Sequence, residues 1–271
     1  MEYGARDPFY WGNLTWAELK DAAARKAVVI QPIGAMEQHG HHLPLNTDNS
    51  NISLLCDAAG RRAPGELLVL PCLPYAFNAH HMDFPGVIHV AWDHVINVLI
   101  DIAASVTAHG FDRLILISGH GVNPPYLAVA ANEVNVRTGA LCASLFWGAL
   151  ADNVNEVRDS ESPGGMAHAC ELETSVMQYL DAGRVREDRI GDDMGFQQGL
   201  FLQMDLGAAT GVHLGEHWWS SFSPSGVAGE ATRASPEKGR LLFERAAGNL
   251  VALARELRAR PDPALTRIDN H

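Results

Sequence analysis

The sequence predicts an α/β protein whose mostly parallel central sheet is covered by helices on both faces, and two observations support this. Short, nearly unbroken apolar runs recur at 27–33, 67–73, 113–118 and 140–146. Strands buried on both faces read as continuous runs of this kind. Between them lie stretches with helical spacing of apolar residues, the order that crosses over to make neighbouring strands parallel. At 271 residues, 47% of them hydrophobic, the chain can bury a large core. No linker divides it, so one domain over 1–271 is expected.

The first run, with Val28, Val29, Ile30 and Ile33, stops at Gly34. A helix is expected to open at about Asp48, after a Pro-containing turn, with Thr47 or Asp48 itself as N-cap. Past the second run, Val95, Leu99, Ile102 and Val106 recur three and four apart within 92–109, and Gly110 marks a helix stop. Residues 126–138 and 172–182 are expected to be helical as well. A last helix is expected over 236–260, with Ser235 as N-cap and Pro236 in the first turn. The region from 184 to 234 is rich in Gly and carries Trp218, Trp219 and Phe222. A loop that long inside a domain is functional, an assembly surface or irregular packing over the sheet, and its aromatics suit a lid or a subunit interface.

The formal net charge of -12 leaves no basic stripe for nucleic acid or an anionic membrane. No basic leader precedes an apolar stretch and no stretch is apolar enough to span a bilayer, so a cytoplasmic protein acting on a small molecule is expected. Cys56, Cys72, Cys142 and Cys170 form no CxxC pair and read as reduced, mostly buried thiols. Cys170, between His168 and Glu171, would need a lowered pKa to act as a nucleophile.

The first strand run ends in residues that make a poor core. Glu37, His39, His41, His42 and Asp48 all fall within fourteen positions of its end. Carboxylates and imidazoles are ligands for divalent zinc, manganese or iron. Glu37 and His39 are two apart, so on an extended segment they leave from one face and converge on one ion. In open α/β sheets ligands bind beyond the carboxyl ends of the strands. The run at 113–118 is followed at once by Gly119-His120-Gly121, where glycine permits a tight turn and leaves His120 at the strand end. A third cluster, His168, Glu171 and Glu173, precedes the apolar residues Val176, Met177, Tyr179 and Leu180. A Glu in a first helical turn also answers the helix dipole, an alternative that weighs more for Glu171 than for Glu173. His80 and His81, beside the Phe84-Pro85-Gly86 turn, can bring one imidazole over the same pocket.

GAMEQHGHHLPLNTD, SGHGVN, HACELETS and SGVAGEATRASPEKG, in that order and spacing, resemble the creatininase and formamide hydrolase family over about 27–250. The resemblance implies a three-layer α/β/α sandwich, a two-metal site and a homohexamer. By position it implies Glu37, Asp48 and His120 as ligands of one ion, and His39 and Asp48 as ligands of the second, with Asp48 bridging. Creatininases proper also have a Glu two places after the strand-end histidine, where many relatives carry Gly and this chain has Val122; Glu173 is the candidate replacement. A tryptophan four positions before the late catalytic histidine is likewise replaced, by Gly164. Both departures point away from creatinine as substrate.

The implied function is metal-dependent hydrolysis of a C–N amide bond, of cyclic amide or formamide type, in a small molecule. Two divalent ions about 3.5 Å apart, zinc or manganese with iron also fitting, lower the pKa of a bridging water toward neutrality and polarise a carbonyl. His168, with a reference pKa of about 6.5, would pass the proton to the leaving nitrogen. Glu171 would support that histidine or touch substrate, and His41 and His42 would orient ligands or substrate. The alternatives are a peptidase of the type that trims the mycofactocin precursor, a deformylase of a pyrimidine nucleotide, and a metal-bound assembly protein without catalysis.

Overall fold

The computed structural model describes residues 7–207, 215 and 218–262. In chain order its elements are α1 (Trp16–Ala24), β1 (Val28–Ile33), α2 (Thr47–Arg62), β2 (Leu67–Val69), α3 (Trp92–Ala108), β3 (Arg113–Ser118) and α4 (Pro124–Thr138). They continue with β4 (Leu141–Phe146), the single turn α5 (Val154–Val157), β5 (Met166–His168), α6 (Glu171–Asp181), β6 (Ala228–Gly229) and α7 (Pro236–Ala259). The four apolar runs pair in the order β2-β1-β3-β4, every pair parallel.

Successive side chains leave a strand on opposite faces, and the sheet sorts its apolar residues accordingly. Val28, Ile30, Leu67, Val69, Ile115 and Ile117 pack with Ile52 and Leu55 of α2, Leu172 and Val176 of α6, and Leu242 and Leu250 of α7. Val29, Leu68, Leu114 and Leu116 pack on the other face with Ala22 of α1, Val95 and Leu99 of α3, and Leu127 and Val134 of α4. The result is three layers, helix, parallel sheet and helix. Both faces of β1 and β3 are buried along their whole length. That is why these strands read as apolar runs without alternation. At the amino end of β3, the buried Arg113 guanidinium donates to the carbonyls of Leu257 and Arg260 and pairs with Asp262, tying the end of α7 to the sheet.

Several expectations need correction at the edges. The run at 67–73 pairs continuously only over Leu67–Val69: Leu70 N–H still reaches the Ile30 carbonyl, but Pro32, the next β1 residue facing this edge, has no N–H to return. Gln31 donates to the Pro71 carbonyl across the gap, and pairing resumes between Ile33 and Leu73. Asn46 holds the N-cap position of α2, not Thr47 or Asp48. Thr47 donates instead to the Pro44 carbonyl, and Asp48 turns its carboxylate toward two histidines. Ser235 does cap α7, accepting from Lys238 N–H. Helix α1, which periodicity did not flag, starts with a Thr15/Glu18 capping box. The antiparallel pair β5–β6 is too short to leave a periodic signal. Part of the 184–234 region, 208–214 and 216–217, lies outside the described residues. Among the described residues no helix is long and apolar enough to cross a membrane.

Candidate metal centre

Two close backbone approaches assemble the site at the carboxyl end of the sheet. At Gly34, after β1, a Cβ would fall 2.0 Å from Asn49 Oδ1. At Gly119, after β3, it would fall 2.5 Å from the Asp48 carbonyl oxygen. Only glycine lets both strand ends lie against the first turn of α2. The following segments then carry Glu37, His39 and His120 to Asp48. Ser118 Oγ fixes the turn, accepting from His120 N–H and donating to the His120 carbonyl. From the other side, Glu173 rises from the first turn of α6, and His168 from the end of β5. Between them Ala169 adopts φ 49, a left-handed conformation for a residue with a Cβ, and its N–H donates to Glu173 Oε2.

The buried donors converge. His120 Nδ1 lies 2.6 Å from Glu37 Oε2 and 3.4 Å from Asp48 Oδ2. His39 Nε2 lies 3.2 Å from Asp48 Oδ1 and 3.9 Å from Glu173 Oε2. Asp48 thus turns one oxygen toward each histidine. Despite these distances, neither Glu37 oxygen, nor Asp48 Oδ2, nor His39 Nε2 has an aligned hydrogen bond. Buried polar atoms that crowd without pairing fit ligands directed at a shared cation, since leaving them unmatched is costly. Potential ligand atoms of Glu37, His80 and His120 all lie within 4.8 Å of one another, as do those of His39, His168 and Glu173.

The electrostatics agree. Burial opposes ionisation of Glu37, yet the imidazole of His120, foremost among its neighbours, holds its carboxyl well below the usual range. Burial likewise opposes a charge on His39, but Asp48, Glu173 and Glu37 raise it to about 10. Glu173 is pushed up to about 7, by burial first and by Asp48 and Glu37, against the pull of His39. Carboxylates this close require compensating positive charge, and a divalent cation supplies it without protons.

A supporting network stands around the donors. Gln38 Oε1 accepts from Gly40 N–H, which orients its amide so that Nε2 faces the Gly226 carbonyl and His81 Nδ1, at 3.0 and 2.9 Å. With Nδ1 accepting, His81 Nε2 lies 2.8 Å from Glu37 Oε1. His168 Nε2 donates to the Gln38 carbonyl at 2.7 Å, leaving Nδ1 bare 3.5 Å from Glu37 Oε1. Burial, with the nearby charge of His39, pushes the His168 pKa well down, so the ring is neutral. Trp219 stacks on His81, with centroids 4.4 Å apart, and donates Nε1–H to Gly226. Glu37, Asp48, His80, His81, His120, His168 and Glu173 all line one cavity of about 190 Å³.

Other expected site residues lie elsewhere. Glu171 is a correction: its carboxylate accepts from the Asp159 and Ser160 N–H groups and from Lys238 Nζ, so it neither bonds to His168 nor lines the cavity. His41 is exposed. His42 is buried against Thr174, and burial pushes it down to about 4, as a neutral packing residue. Cys170 is fully buried at the start of α6, and burial pushes its thiol far up, the opposite of an activated nucleophile. Gln38 left no sequence signal, because a lone amide between two donors resembles any loop residue. Trp219 had a signal, the aromatic cluster after residue 217, but its place over His81 needed the fold.

The creatininase family model, creatinine amidohydrolase, matches residues 12–254. The mycofactocin precursor peptide peptidase of Mycobacterium ulcerans is 28% identical over 247 residues, covering 88% of each chain. The creatinine amidohydrolase of Pseudomonas putida is 28% identical over 199 residues, covering 67% of this chain and 75% of its own. A solved creatininase variant of Zn–Zn type superposes with TM-score 0.77 at 24% identity, over 93% of this chain and 99% of its own. The match spans both strand-end loops and the α6 segment that supply the donors, and the chain belongs to the creatininase family of metal-dependent hydrolases.

Proposed function

We propose that this protein hydrolyses a C–N amide bond of a small molecule, of cyclic amide or formamide type, with two divalent ions. The observation that carries the reading is the buried convergence of Glu37, Asp48 and His120 beside His39, Asp48 and Glu173. These six donor contacts would hold two ions with Asp48 shared, and their oxygen and imidazole character suits zinc or manganese, with iron also fitting. Such ions, when bound, acidify water toward neutral pH and polarise a carbonyl. The chain's own part is to place and move protons. His168, neutral and pinned through Nε2 by the Gln38 carbonyl, presents Nδ1 to the cavity to take a proton and return it to the leaving nitrogen. His81 steadies Glu37, and Gln38 steadies His81.

The test is to strip the purified protein with chelator, reload it with zinc or manganese, and assay cyclic amides, formamides and short peptides. Restored hydrolysis of a non-peptide amide supports the proposal; loaded protein inactive on the whole panel removes it. Peptide cleavage is the second reading, favoured by the relative in Mycobacterium ulcerans that covers 88% of both chains. A larger kcat/KM for short peptides than for any cyclic amide or formamide would select it.

Homohexamer formation belongs to the same proposal. Light scattering reads the assembly directly. The four free cysteines support a cytoplasmic location.

A further inference from the structure

The donors share the cavity with an apolar lining of Val122, Pro125, Phe146, Met204, Leu206 and Trp219, and no Lys or Arg lines it among the described residues. Trp219 stacks on His81, so part of this lining lies against the site histidines themselves. A hydrocarbon group set against it exchanges water for apolar contact. The whole cavity, the donors' part included, is about 190 Å³, against the roughly 150 Å³ in which an apolar protein cavity holds benzene, so its apolar lining has room on the scale of one ring or one branched chain and no more. Position 122 sharpens the point: where creatininases proper have an acidic ligand and many relatives a glycine, this chain presents a branched hydrocarbon surface to the cavity.

The apolar lining is also held in place. Met204 and Leu206 flank Asp205, whose buried carboxylate takes the Arg158 guanidinium at 2.9 and 3.0 Å. The same carboxylate accepts from the Gly164 and Gly207 N–H groups. Leu206 N–H donates to the Met166 carbonyl at 2.7 Å, two residues from His168. A planar bidentate clamp of this kind fixes direction as well as distance. It keeps the segment against the site in advance of any substrate.

We propose that the cavity selects amides bearing a neutral aromatic or branched aliphatic group beside the scissile bond over unsubstituted ones. Val122, Met204, Leu206 and Trp219 set this preference, and Arg158 with Asp205 positions it. The proposal rests on the amidohydrolase reading for the bond cleaved, and binding measured apart from turnover separates the two. The experiment uses metal-loaded protein and three probes, N-acetylglycinamide, N-acetylphenylalaninamide and N-acetylaspartamide with a free side-chain carboxylate. Binding is read by calorimetry and hydrolysis in the same samples. The phenylalanine probe is expected to bind at least tenfold tighter than the glycine probe, and the aspartate probe less tightly than the phenylalanine probe. Met204→Glu is expected to cut the phenylalanine preference below threefold, and Leu206→Ala, a milder change, to reduce it in the same direction. Equal binding of the phenylalanine and glycine probes, tightest binding of the aspartate probe, or no binding by any probe overturns the proposal. Selective binding with no hydrolysis anywhere leaves it standing and removes the amidohydrolase reading instead.

Discussion

Gln38 lies between two donors, yet its side chain reaches past both to His81 and Gly226. Replacing it with Ala should leave metal stoichiometry unchanged and lower kcat by roughly 10- to 100-fold, the scale on which outer partners tune a metal site. Lost metal would make Gln38 a scaffold for the ligands themselves. His120→Ala should do the reverse, lowering metal affinity by more than the roughly 100-fold upper value for an outer partner, with little change in the far-UV spectrum. Full metal content in that variant, read by elemental analysis, would remove His120 from the ligand set. At this scale the sequence was legible where residue type alone carries chemistry. Glu37, His39, Asp48, His120, His168 and Glu173 are ionisable groups at or near strand ends, where the fold collects ligands. Glu171 belongs to the same local pattern, but a helix turn sends neighbours in different directions. Its carboxylate therefore meets Lys238 while that of Glu173 enters the cavity.

Helix α2 carries the site at its first turn and a strained carboxyl further along. Asp57 is buried, its Oδ1 has no hydrogen-bond partner, and the adjacent Arg61 is engaged by Asp7. Burial pushes Asp57 up to about 6, with Arg61 opposing and Asp7 adding. The folded pKa lies above the unfolded value of about 3.9, so the folded state binds the extra proton and stability falls as pH rises from about 4 to about 6. Asp57→Asn should therefore stabilise the protein by about 1–2 kcal/mol at pH 7 and by little below pH 4. Urea unfolding at the two pH values checks this; a gain independent of pH would mean the carboxylate is not the cause. Elements were readable in proportion to their burial and length. The run at 113–118 coincides with β3, buried on both faces. The run at 67–73 was overextended because periodicity does not register the N–H missing at Pro32 on the neighbouring strand, and β5 and β6 have three and two residues.

Across the whole molecule, the donors come from four separate parts of the chain: the segment after β1, the start of α2, the turn after β3, and the β5–α6 junction. An ion bound by all of them recognises only the native arrangement. Saturating zinc or manganese, at about 1,000 times Kd, should add about 4 kcal/mol and raise Tm by on the order of 10 °C. No change in Tm on loading would show that the parts do not share an ion. The layered architecture was legible because apolar runs report buried strands. The cavity's apolar lining was not, since Phe146, Met204, Leu206 and Trp219 meet only after distant loops fold over the sheet. The Arg113 tie to the end of α7 sits at the opposite extremity of β3 from His120. One strand thus has a reactive tip and an anchoring root, and the interior between them insulates chemistry from upkeep. Drift in the anchoring root can adjust how firmly the protein holds together without rewriting what it cuts.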